Sequence, residues 1–112
     1  MATSASSDWT VTALISSGRP DPAWTLPETA ARAAIAIWDA AVPLAPASPA
    51  PPRLGYRGCT LADTRGRRWT AHLGIITLAP PAPPECRQDP QRRFERLLVE
   101  SAPPGLLPED LL

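Results

Sequence analysis

Proline divides this chain into short pieces, and its spacing limits the folds open to the sequence. The 112 residues contain sixteen prolines, most of them grouped within 43–52, 80–84 and 103–108. Proline lacks a backbone N–H and fixes φ at about −65°, so it interrupts helices and interior strands. We therefore expect elements of modest length separated by stiff connectors. A chain of this length is expected to form one domain around one core.

Hydrophobic periodicity predicts five elements in the order β-α-β-β-α. Alternation of apolar and polar residues indicates the strands, and a period of about 3.6 residues indicates the helices. The predicted strands cover 8–16, 54–62 and 68–78, and the predicted helices cover about 26–41 and 90–102. This order predicts a small α+β domain, with a three-stranded sheet and both helices over one face.

Local residue patterns predict how the helices begin. Thr25 and Glu28 have the spacing of a capping box, in which each side chain accepts the backbone N–H of the other residue. Asp89 followed by Pro90 predicts an aspartate N-cap with proline in the first turn of the second helix.

The remaining segments are predicted to be connectors and termini around a single domain at 8–102. Residues 1–7 have no hydrophobic pattern and are expected to be a disordered N-terminus. Residues 43–53 and 79–88 are predicted to be proline-rich loops, and residues 103–112 an acidic C-terminal tail.

Charge and composition bear on the partner class. The net charge is zero, all eleven basic residues are arginine, and alanine and proline are abundant, which indicates a GC-rich genome, and we expect a bacterial one. A balanced charge argues against a dedicated nucleic-acid binder. Arginines around Tyr56 and Trp69 would suit a single-stranded nucleic-acid platform. The preferred interpretation is that both rings are half-buried sheet residues and the arginines keep the turn soluble.

The sequence also predicts where the protein works. Residues 1–7 lack the basic start and apolar core of a secretory signal, and no apolar run is long enough to span a bilayer. We expect a cytoplasmic protein without a membrane partner, in which Cys59 and Cys86 are reduced thiols.

Catalytic candidates are few. His72 is the only histidine, and Cys59 on the neighbouring predicted strand is a possible nucleophilic partner for it. Cys59, His72 and Cys86 lack the close spacing of known metal-ligand pairs. The sequence contains no phosphate-binding, dinucleotide-binding or hydrolase motif. We expect no enzymatic activity, no metal and no cofactor.

A stiff loop at 16–28 carries the most specific candidate site. Prolines on both sides of Asp21 restrict its backbone, so the loop is expected to hold Arg19, Asp21 and Trp24 in a fixed arrangement. One interpretation is structural, with Arg19 and Asp21 forming a salt bridge and Trp24 capping the core. The other is recognition of a ligand or partner, with Tyr56 and Arg57 completing the surface.

Two segments within these regions resemble a pattern found in small bacterial proteins of uncharacterised activity. They are SGRPDPAW at residues 17–24 and LGYRG at residues 54–58. The resemblance implies no activity, and it implies only that the two segments belong together.

Three functions follow from these observations. The preferred one is a small non-catalytic interaction protein that recognises a protein partner or self-associates as a homo-oligomer. The alternative is an accessory protein that binds a small anionic ligand through Arg19, Tyr56 and Arg57. A thiol- or metal-dependent enzyme that uses Cys59 and His72 ranks last.

Overall fold

The computed structural model describes residues 8–15, 20–44, 58–80 and 83–107 of the chain. In chain order the elements are β1 (Trp9–Ala13), β2 (Ala23–Leu26), α1 (Glu28–Ala40), β3 (Val42–Leu44), β4 (Cys59–Ala62), β5 (Arg68–His72), β6 (Ile75–Ala79), β7 (Glu85–Gln88) and α2 (Arg93–Glu100). The strands form one antiparallel sheet in the order β2-β1-β4-β5-β6-β7-β3.

The prediction of a three-stranded sheet in the order β-α-β-β-α is therefore wrong. Three of the strands that it missed are short and lie among prolines. β2 is bounded by Pro22 and Pro27, β3 contains Pro43, and β7 lies inside the predicted proline loop at 79–88. Proline is compatible with edge strands and strand ends, so its presence marked the boundaries of these strands rather than their absence.

The fourth missing strand comes from a turn inside the predicted strand at 68–78. Leu73 and Gly74 connect β5 to β6, and both have positive φ, at 53° and 78°. Two central residues of positive φ are typical of a type I′ hairpin turn. Ile75 and Ile76 lie just after this turn, and of the two only Ile76 is fully buried.

Both helices pack on one face of the sheet, where they cover the hydrophobic core. α1 contributes small residues and one large ring to this core, and α2 contributes Phe94 and Leu98. The largest fully buried sheet residues on this face are Val11, Leu26, Leu61, Trp69 and Ile76. Near β3, the Arg87 guanidinium lies 4.2 Å from the centre of the Trp38 ring and donates to the Trp38 carbonyl at 2.7 Å.

The helices begin differently from the sequence prediction. α1 has Pro27 as its N-cap and no side-chain capping bond, so the predicted capping box of Thr25 and Glu28 is wrong, because Thr25 belongs to β2. α2 begins at Arg93 rather than at residue 90. Asp89 nevertheless satisfies its first turn, since its two carboxylate oxygens accept the N–H groups of Arg93 and Phe94 at 3.0 and 2.9 Å.

The domain boundaries predicted at 8 and 102 stay predictions. Just beyond the second boundary, Leu107 packs against the core as a partly buried side chain. Neither α1 nor α2 is long and apolar enough to cross a membrane, and this finding covers only the part of the chain that the structure describes.

Candidate interaction surface on the open face

The face of the sheet opposite the helices, here called the open face because no described helix packs on it, is lined by small polar residues. One row crosses all seven strands, and threonine occupies it on the four adjacent strands β1, β4, β5 and β6. In strand order the row is Ala23, Thr12, Thr60, Thr70, Thr77, Cys86 and Leu44. Within this row Thr60 and Cys86 are buried, at 7% and 8% exposure, whereas Thr12, Thr70 and Thr77 are partly exposed and Ala23 is exposed.

One end of the open face is apolar instead. Val42, Leu73 and Ile75, here called the hydrophobic patch, have relative exposures of 60%, 57% and 37%. Ile75 pairs with Gln88, which pairs with Val42, so these residues share one row across β6, β7 and β3. Leu73 lies in the adjoining turn. Polar Gln88 separates Ile75 from Val42 in this row, and we take the grouping of three exposed apolar residues at one end of the face as the mark of a candidate interaction site.

Leu73 is the least expected member of the hydrophobic patch. Its φ of 53° lies in the left-handed region, which costs a leucine about 1 kcal/mol. Asparagine or aspartate is the usual residue at this position of a type I′ turn. The turn therefore has a residue that neither the backbone conformation nor burial favours.

The structure describes two of the five predicted site residues. Arg19, Tyr56 and Arg57 lie outside the described residues. Asp21 accepts the backbone N–H of Ile15 at 3.0 Å. This bond links the residues just before β2 to the residues just after β1. The recognition role predicted for all five residues stays a prediction.

Trp24 has the contacts of a core residue. It is 8% exposed, and it lies on β2 facing the helices rather than the open face. Its Nε1 donates to Ser101 Oγ at 2.8 Å, and that hydroxyl donates to the Leu98 carbonyl at 2.6 Å. This chain of bonds ties an edge strand of the sheet to the end of α2.

Gly58, the last residue of the LGYRG segment, has a structural requirement for glycine. Its φ is +109°, and a Cβ there would lie 2.6 Å from the Ala71 carbonyl oxygen. Its own carbonyl accepts the Leu14 N–H at 2.9 Å, while Asp21 accepts from the next residue, Ile15. Asp21 and Gly58 thus approach the same extension of β1.

The Cys59–His72 pair considered for catalysis is separated by the sheet. Cys59 pairs with Ala71 and lies with it in the helix-covered core, so the following residue, His72, faces the open side. Cys86 also lies on the open face, opposite Thr77, so no disulfide joins the two cysteines. The described residues contain no group of three or more histidine, cysteine or acidic side chains that could hold a metal ion.

The arginine-rich turn between β4 and β5 is held by contacts within the chain. Burial acts to raise the pKa of Asp63, but hydrogen bonds from the Arg67 N–H, the Arg67 guanidinium and the Arg65 N–H outweigh it and lower that pKa below 3.8. Arg67 Nε lies 2.7 Å from Asp63 Oδ2, and its guanidinium lies 5.0 Å from the centre of the Trp69 ring. Trp69 is only 1% exposed, so the prediction of a half-buried ring is wrong for this residue, while Tyr56 lies outside the described residues and the role of the arginines stays a prediction.

Sequence reasoning missed the hydrophobic patch because it missed two elements. The sequence pattern predicts Val42 directly after a helix and Leu73 in the middle of a strand. The signal available was Leu73–Gly74 between two β-rich runs of opposite phase, since a glycine at the second turn position is typical of a two-residue hairpin.

Comparison with models of known protein families, with curated proteins and with solved structures finds no match for this chain.

Proposed function

We propose that this protein is a non-catalytic interaction domain that binds a partner protein through the hydrophobic patch of Val42, Leu73 and Ile75. The observation that carries the proposal is Leu73, an exposed leucine in a left-handed turn conformation. Backbone strain at an exposed residue is a reason to look for a function at that position. A partner that buries Leu73 would recover free energy that the isolated domain does not.

The surroundings of the hydrophobic patch suit such a partner. The patch adjoins a row of threonines, of which Thr70 and Thr77 are partly exposed, so apolar side chains lie beside a polar part of the sheet. Protein interfaces commonly combine an apolar centre with a polar rim. The small-anion alternative depends on Arg19, Tyr56 and Arg57, which lie outside the described residues. The cytoplasmic location stays a prediction.

The variant Leu73→Asn tests the proposal because it separates stability from binding. Asparagine tolerates left-handed backbone, so we expect the free energy of unfolding to stay the same or to rise by up to about 1 kcal/mol. Removal of the leucine side chain should abolish partner binding. Affinity capture from a lysate of the native host, read by quantitative mass spectrometry, measures binding, and chemical denaturation measures stability.

Leu106→Asn is the matched control, since Leu106 is also an exposed leucine, at 39%, and lies outside the hydrophobic patch. A protein retained by the wild type and by Leu106→Asn, but lost from Leu73→Asn, supports the proposal. Binding of the purified protein to each variant then confirms that the interaction is direct. Equal retention by all three forms contradicts the proposal.

A further inference from the structure

The backbone of β2 points hydrogen-bonding groups away from the sheet. The Ala13 N–H donates to the Pro22 carbonyl at 3.0 Å, which makes these two residues a hydrogen-bonded pair. Because such pairs alternate along an antiparallel ladder, Trp24 and Leu26 also bond toward β1. The N–H and C=O groups of Ala23 and Thr25 therefore point outward, where no strand among the described residues pairs with them.

The opposite edge of the sheet does not offer such groups. The Asp89 N–H donates to the Gly74 carbonyl at 2.7 Å, so Arg87 bonds toward β6, while Gln88 and Cys86 bond toward β3. Their partners, Val42 and Leu44, point inward, and the outward position of β3 is Pro43. Since proline has no N–H, this edge cannot accept another strand through a complete ladder.

We propose that β2 pairs with β2 of a second copy of this chain, antiparallel about a two-fold axis at Trp24. In this register Ala23 of each copy faces Thr25 of the other, and the four outward N–H groups meet four outward carbonyls. The pairing goes beyond the proposed function, because β2 and the hydrophobic patch lie in different parts of the sheet.

Self-pairing is favoured over other occupants by the form of this edge. Pro22 and Pro27 bound the strand, so only a short stretch can pair, and the two-fold register at Trp24 uses every outward donor in it. A shift of the axis to Thr25 would place Ala23 opposite Pro27, which has no donor. Both outward residues have small, uncharged side chains, so no like charges meet.

The blocked edge at Pro43 then limits the assembly to two copies. A sheet with two available edges can add copies without end, whereas one available edge gives a closed dimer. The contact is short and belongs to the class of small, weak interfaces. We therefore expect a dimer that forms and dissociates reversibly with concentration.

Charge reversal across the interface tests both the partner and the register. In A23K/T25K, lysines face lysines across the axis, so we expect a monomer. In A23E/T25K, each glutamate faces a lysine of the other copy, so we expect the dimer to form at least as tightly as in the wild type. Sedimentation equilibrium up to roughly millimolar concentration covers the weak affinities of small interfaces. It measures the mass against the 12.0 kDa chain.

A wild type that stays monomeric throughout this range overturns the proposal, and so do two charge variants that dimerise equally well. Leu73→Asn is expected to dimerise as the wild type does; if it is monomeric instead, the dimer forms through the hydrophobic patch and the proposal fails. A second measurement needs no variant. Amide exchange of Ala23 and Thr25 should slow as concentration rises, and unchanged exchange in a dimer contradicts pairing at β2.

Discussion

The two edge strands of this sheet are protected in opposite ways. The side chains of β2 that face the helices are buried, with Leu26 fully covered and Trp24 bonded to Ser101. Its backbone, in contrast, leaves the N–H and C=O groups of Ala23 and Thr25 pointing away from the sheet. β3 leaves Val42 largely exposed, yet its outward position is occupied by Pro43. The β2 edge is thus held by buried side chains but has backbone groups available for pairing. The β3 edge has an exposed side chain, but proline blocks pairing with its backbone.

The contrast shows that side-chain burial and backbone pairing are separate properties of an edge strand. An edge held by a buried tryptophan keeps its conformation without a further neighbour, so it can present its backbone to a partner. An edge with little burial depends on its one neighbour, and proline there prevents unwanted pairing at no loss of a ladder hydrogen bond. The predictions that follow test this separation.

Truncation of the side chain that anchors β2 should have the largest effect. Trp24→Ala removes a buried ring and its bond to Ser101, so we expect a loss of about 3–5 kcal/mol in the free energy of unfolding. Val42→Ala on β3 is the matched control, expected to change stability by less than about 0.5 kcal/mol because that side chain faces solvent. Urea denaturation measures both. Equal losses would show that the two edges do not differ in burial.

Opening the closed edge should change assembly more than stability. Pro43→Thr supplies an outward N–H on β3, and the loss of proline's restraint on the unfolded chain should cost about 0.4–1 kcal/mol. If β2 forms the dimer proposed above, a second available edge should produce species larger than a dimer. Sedimentation velocity at several concentrations detects them. A variant that stops at the wild-type mass would show that Pro43 does not limit assembly.

A substitution in the turn between β4 and β5, at the centre of the sheet, should give the smallest change in stability. This change should depend on pH. The lowered pKa of Asp63 means that its ionised form stabilises the fold. This contribution is fully present above the unfolded-state value of about 3.8 and is lost as pH falls through the lower folded-state value.

Asp63→Asn keeps an oxygen that can accept the Arg65 and Arg67 N–H groups but removes the charge. Thermal unfolding of both forms should therefore show a wild-type advantage near neutral pH that shrinks below about pH 4. An advantage that persists to pH 2 would assign the effect to hydrogen bonding rather than to charge.

The sequence predicts helices and strands correctly where a long run of residues follows one period. The strand at Trp9–Ala13 and the helix at Glu28–Ala40 lie inside the predicted ranges, because each has a run of residues with one clear period. The short edge strands were not predictable in this way. Three or four residues between prolines carry too little periodicity, and only the neighbouring strand gives them an extended conformation.

The candidate site was less predictable than the fold. The sequence predicts a site at Trp24 and Asp21 because an aromatic and a charged residue lie on a stiff loop. In the structure Trp24 bonds to Ser101 and Asp21 to the Ile15 backbone. The hydrophobic patch depends on which strands are neighbours, since Val42 and Ile75 share a row only because β7 lies between β3 and β6. That neighbourhood is a tertiary property, which local pattern does not contain.

The connection of β2 to β3 through α1 affects how the fold comes apart. Residues 23–44 are one continuous segment that forms both outermost strands and the helix between them. α1 spans about 20 Å of the roughly 29 Å between the two edges. Release of this segment removes both outer strands together and leaves a five-stranded sheet with two bare edges. Partial unfolding there and the onset of aggregation are therefore expected to be a single event.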